Sequence, residues 1–296
     1  GVGKRYLPSD AYVEGSFEKY IPEYDFDRFI KEKVKEAGGS GRFRTLSLEN
    51  SPTDWARPAY FYEISSGYNA AKLRVYQDLI NHLGIGGQGR PPNETMLDLT
   101  GTRFIVGRDP LPGTTPVFSD QSTGLTVFER PRDRWGARTH LVDSVVVVSD
   151  AAAVLTELKR PTFDRQEIAI LLTDPGPLGR IDSTSVAEVE LTSYTAHEAE
   201  WSVKSDARRL LVSSEIYYPA GWTATVDGEA TEILQVNHAF RAVIVPAGEH
   251  VVRMKFRPES HFRGVWISLI STILVYGVLA VLIGFYFVRR RRDEVT

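Results

Sequence analysis

A chain of 296 residues with a formal charge of -3, 42% hydrophobic and 25% charged residues has room for one or two domains with real cores. Its balanced charge, with no basic stripe interleaved with aromatics along the soluble part, excludes nucleic-acid binding. The absence of cysteine excludes disulfides, zinc–thiolate sites, iron–sulfur clusters and a cysteine nucleophile, and leaves the compartment open. The sequence opens at Gly1 without a signal-peptide pattern, which we take as a removed leader or a piece of something longer.

The first third reads as mixed. "YDFDRFIKEKVKEAGG" sets Phe26, Phe29, Ile30 and Val34 at helical spacing, with Asp25 as N-cap and glycine as the stop. "GRFRTLSL" reads as a strand. A second helix is expected in "NAAKLRVYQDLINHLG", capped by Asn69, striped by Leu73, Tyr76, Leu79 and Ile80, and ended by Gly84. "TRFIVG" and "GLTVFERP" read as short strands. "HLVDSVVVVSDAAAVLTELKRPTFDRQEIAILL" then gives strand, helix capped by Ser149 or Asp150, and strand. The crossover is long enough for parallel pairing, and such apolar strands suit a sheet covered on both faces. Residues 1–180 are thus expected to form an α/β or α+β domain.

After "TDPGPLGR" the texture changes to short strand candidates with turn residues between most of them, the pattern of an all-β sandwich, expected over 181–258. Trp222, Ala224 and Val226 alternate with Thr223, Thr225 and Asp227, and Val252, Met254 and Phe256 alternate with Val251, Arg253 and Lys255. Asp227-Gly228 is the dipeptide a type I′ hairpin prefers, and Pro246 with Gly248 fits a turn. From 264 to 288 the chain carries no charge, is longer than the roughly 20 residues a spanning helix needs, and has Trp266 near one edge and Tyr286 and Phe287 near the other. Arg289 to Arg292 follow at once, marking 289–296 as a basic cytoplasmic tail and the bulk of the chain as extracytoplasmic.

Few residues offer chemistry. Gly84, Gly86 and Gly89 match G-x-G-x-x-G but follow a helix where a phosphate loop needs a strand, so they read as a loop. The six histidines lack i, i+4 pairing, no HExxH or G-x-S-x-G occurs, and the pairs Asp25/Asp27 and Asp227/Glu229 belong to a helix start and a turn. Asn93 heads an N-glycosylation pattern. No catalytic, cofactor-binding or metal-binding residue is assigned. Tyr217, Tyr218 and Trp222 are the candidate substrate-binding residues, since flat aromatics stack on sugars. Alternation places Trp222 on the core face and leaves Tyr217 accessible, so the rival reading of this cluster is plain architecture.

The segments "LVSSEIYYPAGWTATVDG", "ILQVNHAFRAVIVPAGEH" and "VRMKFRPESHFRGVWISLIS" resemble, in order, the C-terminal end of bacterial YfhO-type membrane proteins, and "SGYNAAKLRVYQDLI", "MLDLTGTRFIVG" and "LTVFERP" are similar to weaker elements of that family. The resemblance is specific only from about Leu211 to Ser271, and here Ala220 lengthens the Tyr-Tyr-Pro-Gly-Trp run. It implies a multi-span, glycosyltransferase-like membrane protein that moves sugars from polyprenyl-phosphate carriers to cell-envelope polymers. The catalytic acid of such a protein is expected on an early extracytoplasmic loop outside this chain, so no family catalytic residue carries over. The expected role is acceptor-side or structural, with the lipid bilayer, a polyprenyl-phosphate-linked sugar and a cell-envelope polymer as partners. The alternative is a non-enzymatic, single-pass ectodomain that binds carbohydrate or a partner.

Overall fold

The computed structural model describes residues 21–53, 55–67, 69, 71–87 and 90–293, with side chains as far as 286. Gly89 and residues 294–296, the end of the basic tail, lie outside them. The first element is helix α1 (Asp25–Glu36), whose N-cap is Tyr24 rather than Asp25. Asp27, one turn in, accepts from the Tyr24 amide at 2.9 Å. The same buried carboxylate takes hydrogen bonds from Arg57 at 2.7 Å and the Tyr62 hydroxyl at 2.9 Å. The Arg57 guanidinium also lies over the rings of Tyr24, Phe26 and Phe61. A buried charge stripped of water needs such partners, and here they fix α1 to the 57–62 segment.

Strand β1 (Arg44–Ser47), helices α2 (Arg74–Leu83) and α3 (Glu94–Leu99), and strands β2 (Thr102–Gly107), β3 (Thr115–Asp120) and β4 (Leu125–Glu129) follow. The four strands form a mixed sheet in the order β1-β2-β4-β3, with β1 and β2 parallel. Phe26 and Ile30 of α1 pack on Phe104, Val106 and Val127 of this sheet. Helix α2 is shorter than expected: Leu73 is its N-cap and Asn69 lies outside it, while Gly84 ends it at φ 90°. Asn93 caps α3, accepting from the Met96 amide at 3.1 Å, so the sequon asparagine doubles as a helix cap.

A one-turn helix α4 (Arg132–Trp135) leads to β5 (Thr139–Val142) and β6 (Ser144–Val147), then α5 (Ala151–Glu157) and β7 (Ile168–Leu171). Asp150 caps α5 through the Ala153 amide at 2.8 Å. The expected βαβ unit is present, with β6 and β7 parallel. The apolar run before it is not one strand, however: it breaks at Asp143, and β5 joins a different sheet. Nor is the βαβ pair covered on both faces, because it stops at two strands and Val147 stays 48% exposed.

The remaining strands are β8 (Ala187–Tyr194), β9 (Glu198–Ser205), β10 (Arg209–Ile216), β11 (Trp222–Val226), β12 (Glu229–Thr231), β13 (Leu234–Val236), β14 (Phe240–Val245) and β15 (Gly248–Phe256). They form two sheets, β13-β14-β10-β5 and β12-β11-β15-β9-β8, so the sandwich takes one strand from before residue 181. Trp201, Val203, Val252 and Met254 of the second sheet meet Leu141, Leu211, Val243 and Val245 of the first. Leu210, Val212 and Ala242 point the other way, onto Leu97, Leu158 and Ile170. The first sheet is therefore a middle layer, which is why β10 is buried along most of its length while β9 and β15 alternate. Each fully buried aliphatic side chain contributes about 1.5–3 kcal/mol.

One residue welds the layers. Asn237, in the β13–β14 turn at φ 49°, accepts from the Ile170 amide at 2.8 Å through its side chain and donates its own amide to the Ile170 carbonyl at 2.9 Å. It satisfies both backbone groups of β7 there as a neighbouring strand would. Beyond β15, helix α6 (Glu259–Asp293) runs for 35 residues, about 50 Å at the standard rise. Its segment Glu259–Tyr286 is long and apolar enough to cross a membrane, and its apolar window is not buried against the described residues. The helix begins five residues before the uncharged run does.

Candidate functional site: an aromatic cleft beside the membrane helix

The hairpin registers set the two ends of the outer sheet. Trp222 pairs with Phe256, and Val226 with Val252. Trp222 and Phe256 therefore mark the end at which β15 hands over to α6, and Asp227, Gly228 and His250 mark the opposite end.

The opposite end is closed. Asp227 (φ 53°) and Gly228 (φ 87°) form the expected two-residue turn between β11 and β12, with both φ values positive. The Asp227 carboxylate accepts from the Val251 amide at 2.8 Å and contacts His250 Nδ1 at 2.6 Å. His250 Nε2 reaches the Ala247 carbonyl at 3.2 Å. With both ring nitrogens facing oxygen acceptors, hydrogen bonding to Asp227 holds the His250 pKa above its usual value, and the reverse holds Asp227 below its own. The VDG and PAGEH segments thus staple one another, an architectural role.

The helix-proximal end is open. Tyr217, Tyr218 and Trp222 come together there and line a cleft of about 350 Å³ with Pro219, Glu232 and Ile233. Tyr218 is 40% exposed, while Tyr217 and Trp222 are half-buried. Trp222 leans on the sandwich core without entering it. One indole face meets Phe256 at 5.4 Å between centroids, and the Arg241 guanidinium lies 3.6 Å from its ring. That stacking was not legible beforehand, because Arg241 is nineteen positions away on the other sheet. Gly221, at φ 99°, makes the turn possible: a Cβ there would come within 2.8 Å of Pro258. Its carbonyl accepts from the Arg257 amide at 2.6 Å. The Tyr-Tyr-Pro-Ala-Gly-Trp turn is therefore bound directly to the start of α6. On the far side of that junction Lys255, Arg257 and Arg263 gather with Phe262 and Trp266.

Two residues before Tyr217, Glu215 of β10 receives Arg138, whose other arm reaches Glu63 at 2.8 Å. Arg44 adds a contact to Glu215 at 3.3 Å, and the Tyr194 hydroxyl donates to Glu63 at 2.9 Å. Although burial alone would raise it, the Arg138 and Arg44 charges hold Glu215 at about 2. Burial, aided by the Glu215 charge, pushes the Tyr194 phenol up to about 12. A carboxylate so firmly ionised is not a proton donor near neutral pH, so this network fixes shape rather than supplying general acid catalysis. Among the described residues no group of three or more histidines, aspartates and glutamates is placed to hold a metal ion.

No curated protein and no solved structure matches the chain. The family model described as "Bacterial membrane protein YfhO" matches residues 180–268, the span holding β8 to β15, the cleft and the start of α6. The sandwich strands other than β5 and their junction with the apolar helix are thus the part of the chain that matches the YfhO family.

Proposed function

We propose that the chain is the extracytoplasmic C-terminal part of a glycosyltransferase-like membrane protein, holding a glycan at the membrane surface while a membrane-embedded body performs the transfer. The donor is a polyprenyl-phosphate-linked sugar and the acceptor a cell-envelope polymer. In this reading residues 1–180 and 181–258 act as two extracytoplasmic units, α6 anchors them, and Arg289 to Arg292 face the cytoplasm under the positive-inside rule. The observation that carries it is the junction itself: the open aromatic cleft is hydrogen-bonded, Gly221 to Arg257, to the first residues before the membrane helix. A sugar stacked on Tyr218 and Trp222 would sit where a lipid carrier delivers it.

The test uses the full chain in lipid nanodiscs, titrated with polyprenyl-phosphate-linked glucose and with cell-wall polymer fragments and followed by tryptophan fluorescence. Tyr218→Ala should weaken binding about tenfold, the loss expected for one aromatic stacking contact, with an unchanged melting temperature. Equal binding by variant and wild type, or a lowered melting temperature with binding retained, returns the cluster to architecture.

A further inference from the structure

A second concavity, of about 380 Å³, lies between the N-terminal sheet and the sandwich, well apart in sequence from the cleft. Arg42 comes from the loop before β1, Arg103 from β2, Arg132 and Arg138 from the α4 region, and Trp135 and Trp201 complete the wall. Four arginines on one small surface repel one another unless something negative sits among them. Arg103 has Glu129 at 2.8 Å and Arg138 has Glu63 and Glu215. Arg42 and Arg132 have no carboxylate partner among the described residues. Arg42 donates one arm to the Leu191 carbonyl at 2.9 Å, and Arg132 only covers the Trp135 ring at 3.9 Å.

The hydrogen-bond inventory points the same way. Three residues lining this cavity each have a buried N–H group with no partner among the described residues: Arg42 Nε, Arg138 Nε and Trp135 Nε1. Arg138 is 3% exposed and Trp135 is 7%. A buried unpaired donor costs about 1–3 kcal/mol, so three in one cavity call for an acceptor that supplies several oxygens. All three are donors, which fits an oxyanion better than a neutral sugar, whose hydroxyls would want acceptors too. Two uncompensated guanidinium charges match a dianion. A cavity of this volume also exceeds what a bare phosphate ion fills.

We infer that this cavity binds a phosphomonoester, its dianionic phosphoryl group held by Arg42, Arg132 and the free N–H groups of Arg138 and Trp135. The phosphoryl group belongs either to a soluble sugar phosphate or to a lipid phosphate, and both present the same chemistry to the arginines.

Calorimetry on the full chain in nanodiscs, with glucose 1-phosphate and dodecyl phosphate as probes and glucuronate as a singly charged control, tests the assignment. At least one phosphate probe should bind, more tightly than glucuronate, and the one that binds identifies the source. Binding should weaken as pH falls through about 6, where a phosphomonoester loses its second charge. Arg132→Gln removes an exposed side chain with no ion pair among the described residues, so it should leave the melting temperature unchanged while weakening binding about tenfold, as loss of a charge-assisted contact does. Trp135→Phe removes the unpartnered N–H but keeps an aromatic side chain, and should weaken binding at a modest cost in melting temperature from its smaller ring, which Arg132→Gln does not share. Absence of binding by both phosphate probes, glucuronate binding as tight as theirs, or full affinity in both variants overturns the inference.

Discussion

The two ends of the outer sheet both carry a conspicuous turn sequence, yet they are built to opposite effect. At the end away from α6, Asp227, His250 and the Ala247 carbonyl satisfy one another, so the motif residues there face inward to their own turn. At the end beside α6, Tyr217, Tyr218 and Trp222 surround an open cleft, and their packing partners, Arg241 and Phe256, support them only from behind. A conspicuous motif therefore says that a residue type is required, and only its partners say whether the requirement is internal or directed outward.

The largest expected effect comes from the buried network joining β10, which leads into the open end, to the N-terminal region. Arg138→Met strands Glu63 and Glu215 without their main counter-charge, and should cost about 3–5 kcal/mol in chemical denaturation. A loss below about 1 kcal/mol, as for an exposed pair, would mean that the network is solvated. Acid should act on the same group: with Glu215 held at about 2, its contribution is complete above the ordinary 4.5 and fades as pH falls from 4.5 toward 2. A melting temperature flat across that interval would contradict the pairing.

A smaller effect is expected at the closed end. Asp227→Ala places a β-carbon residue at φ 53° without the carboxylate that ties the turn to His250 and Val251, and should destabilise by about 1–2 kcal/mol. Ligand binding at the cleft should be untouched; a parallel loss of binding would erase the distinction between the ends.

The smallest effect is the pH response of that staple. His250 has a raised pKa, so its contribution is complete below 6.5 and is lost as pH climbs through the raised value; Asp227 has a lowered pKa, so its contribution is complete above 3.8 and is lost as pH falls through the lowered one. The pair is fully effective between those ordinary values. A wild-type minus His250→Gln difference in melting temperature should therefore be greatest between pH 3.8 and 6.5 and shrink on the alkaline side; a difference independent of pH would show that the imidazole acts by packing alone.

Much of the local structure was legible because it depends on short-range rules. Period-two alternation marked β11 and β15, the Asp-Gly pair marked the hairpin turn, and the uncharged run marked the membrane helix, each a property of neighbours in sequence. Helix starts were read less well, with Asp25 and Asn69 displaced by Tyr24 and Leu73, neither of which caps through its side chain, so the boundary there follows backbone geometry rather than a capping residue. The short helices α3 and α4 and the strands β3 and β12 left no periodic trace to read.

By itself the sequence determined the sandwich-like strands, the parallel βαβ unit, the spanning helix and the family to which 180–268 answers, since each follows from local pattern or motif. Only the tertiary structure decided that the apolar run splits at Asp143 to lend β5 to the sandwich, that Arg241 backs Trp222, that Asn237 stands in for a strand, and that four arginines from three separate segments surround one cavity. Those facts join residues far apart in the chain, and such pairings are fixed by which buried polar groups must find partners once the layers have closed, a condition no local window contains.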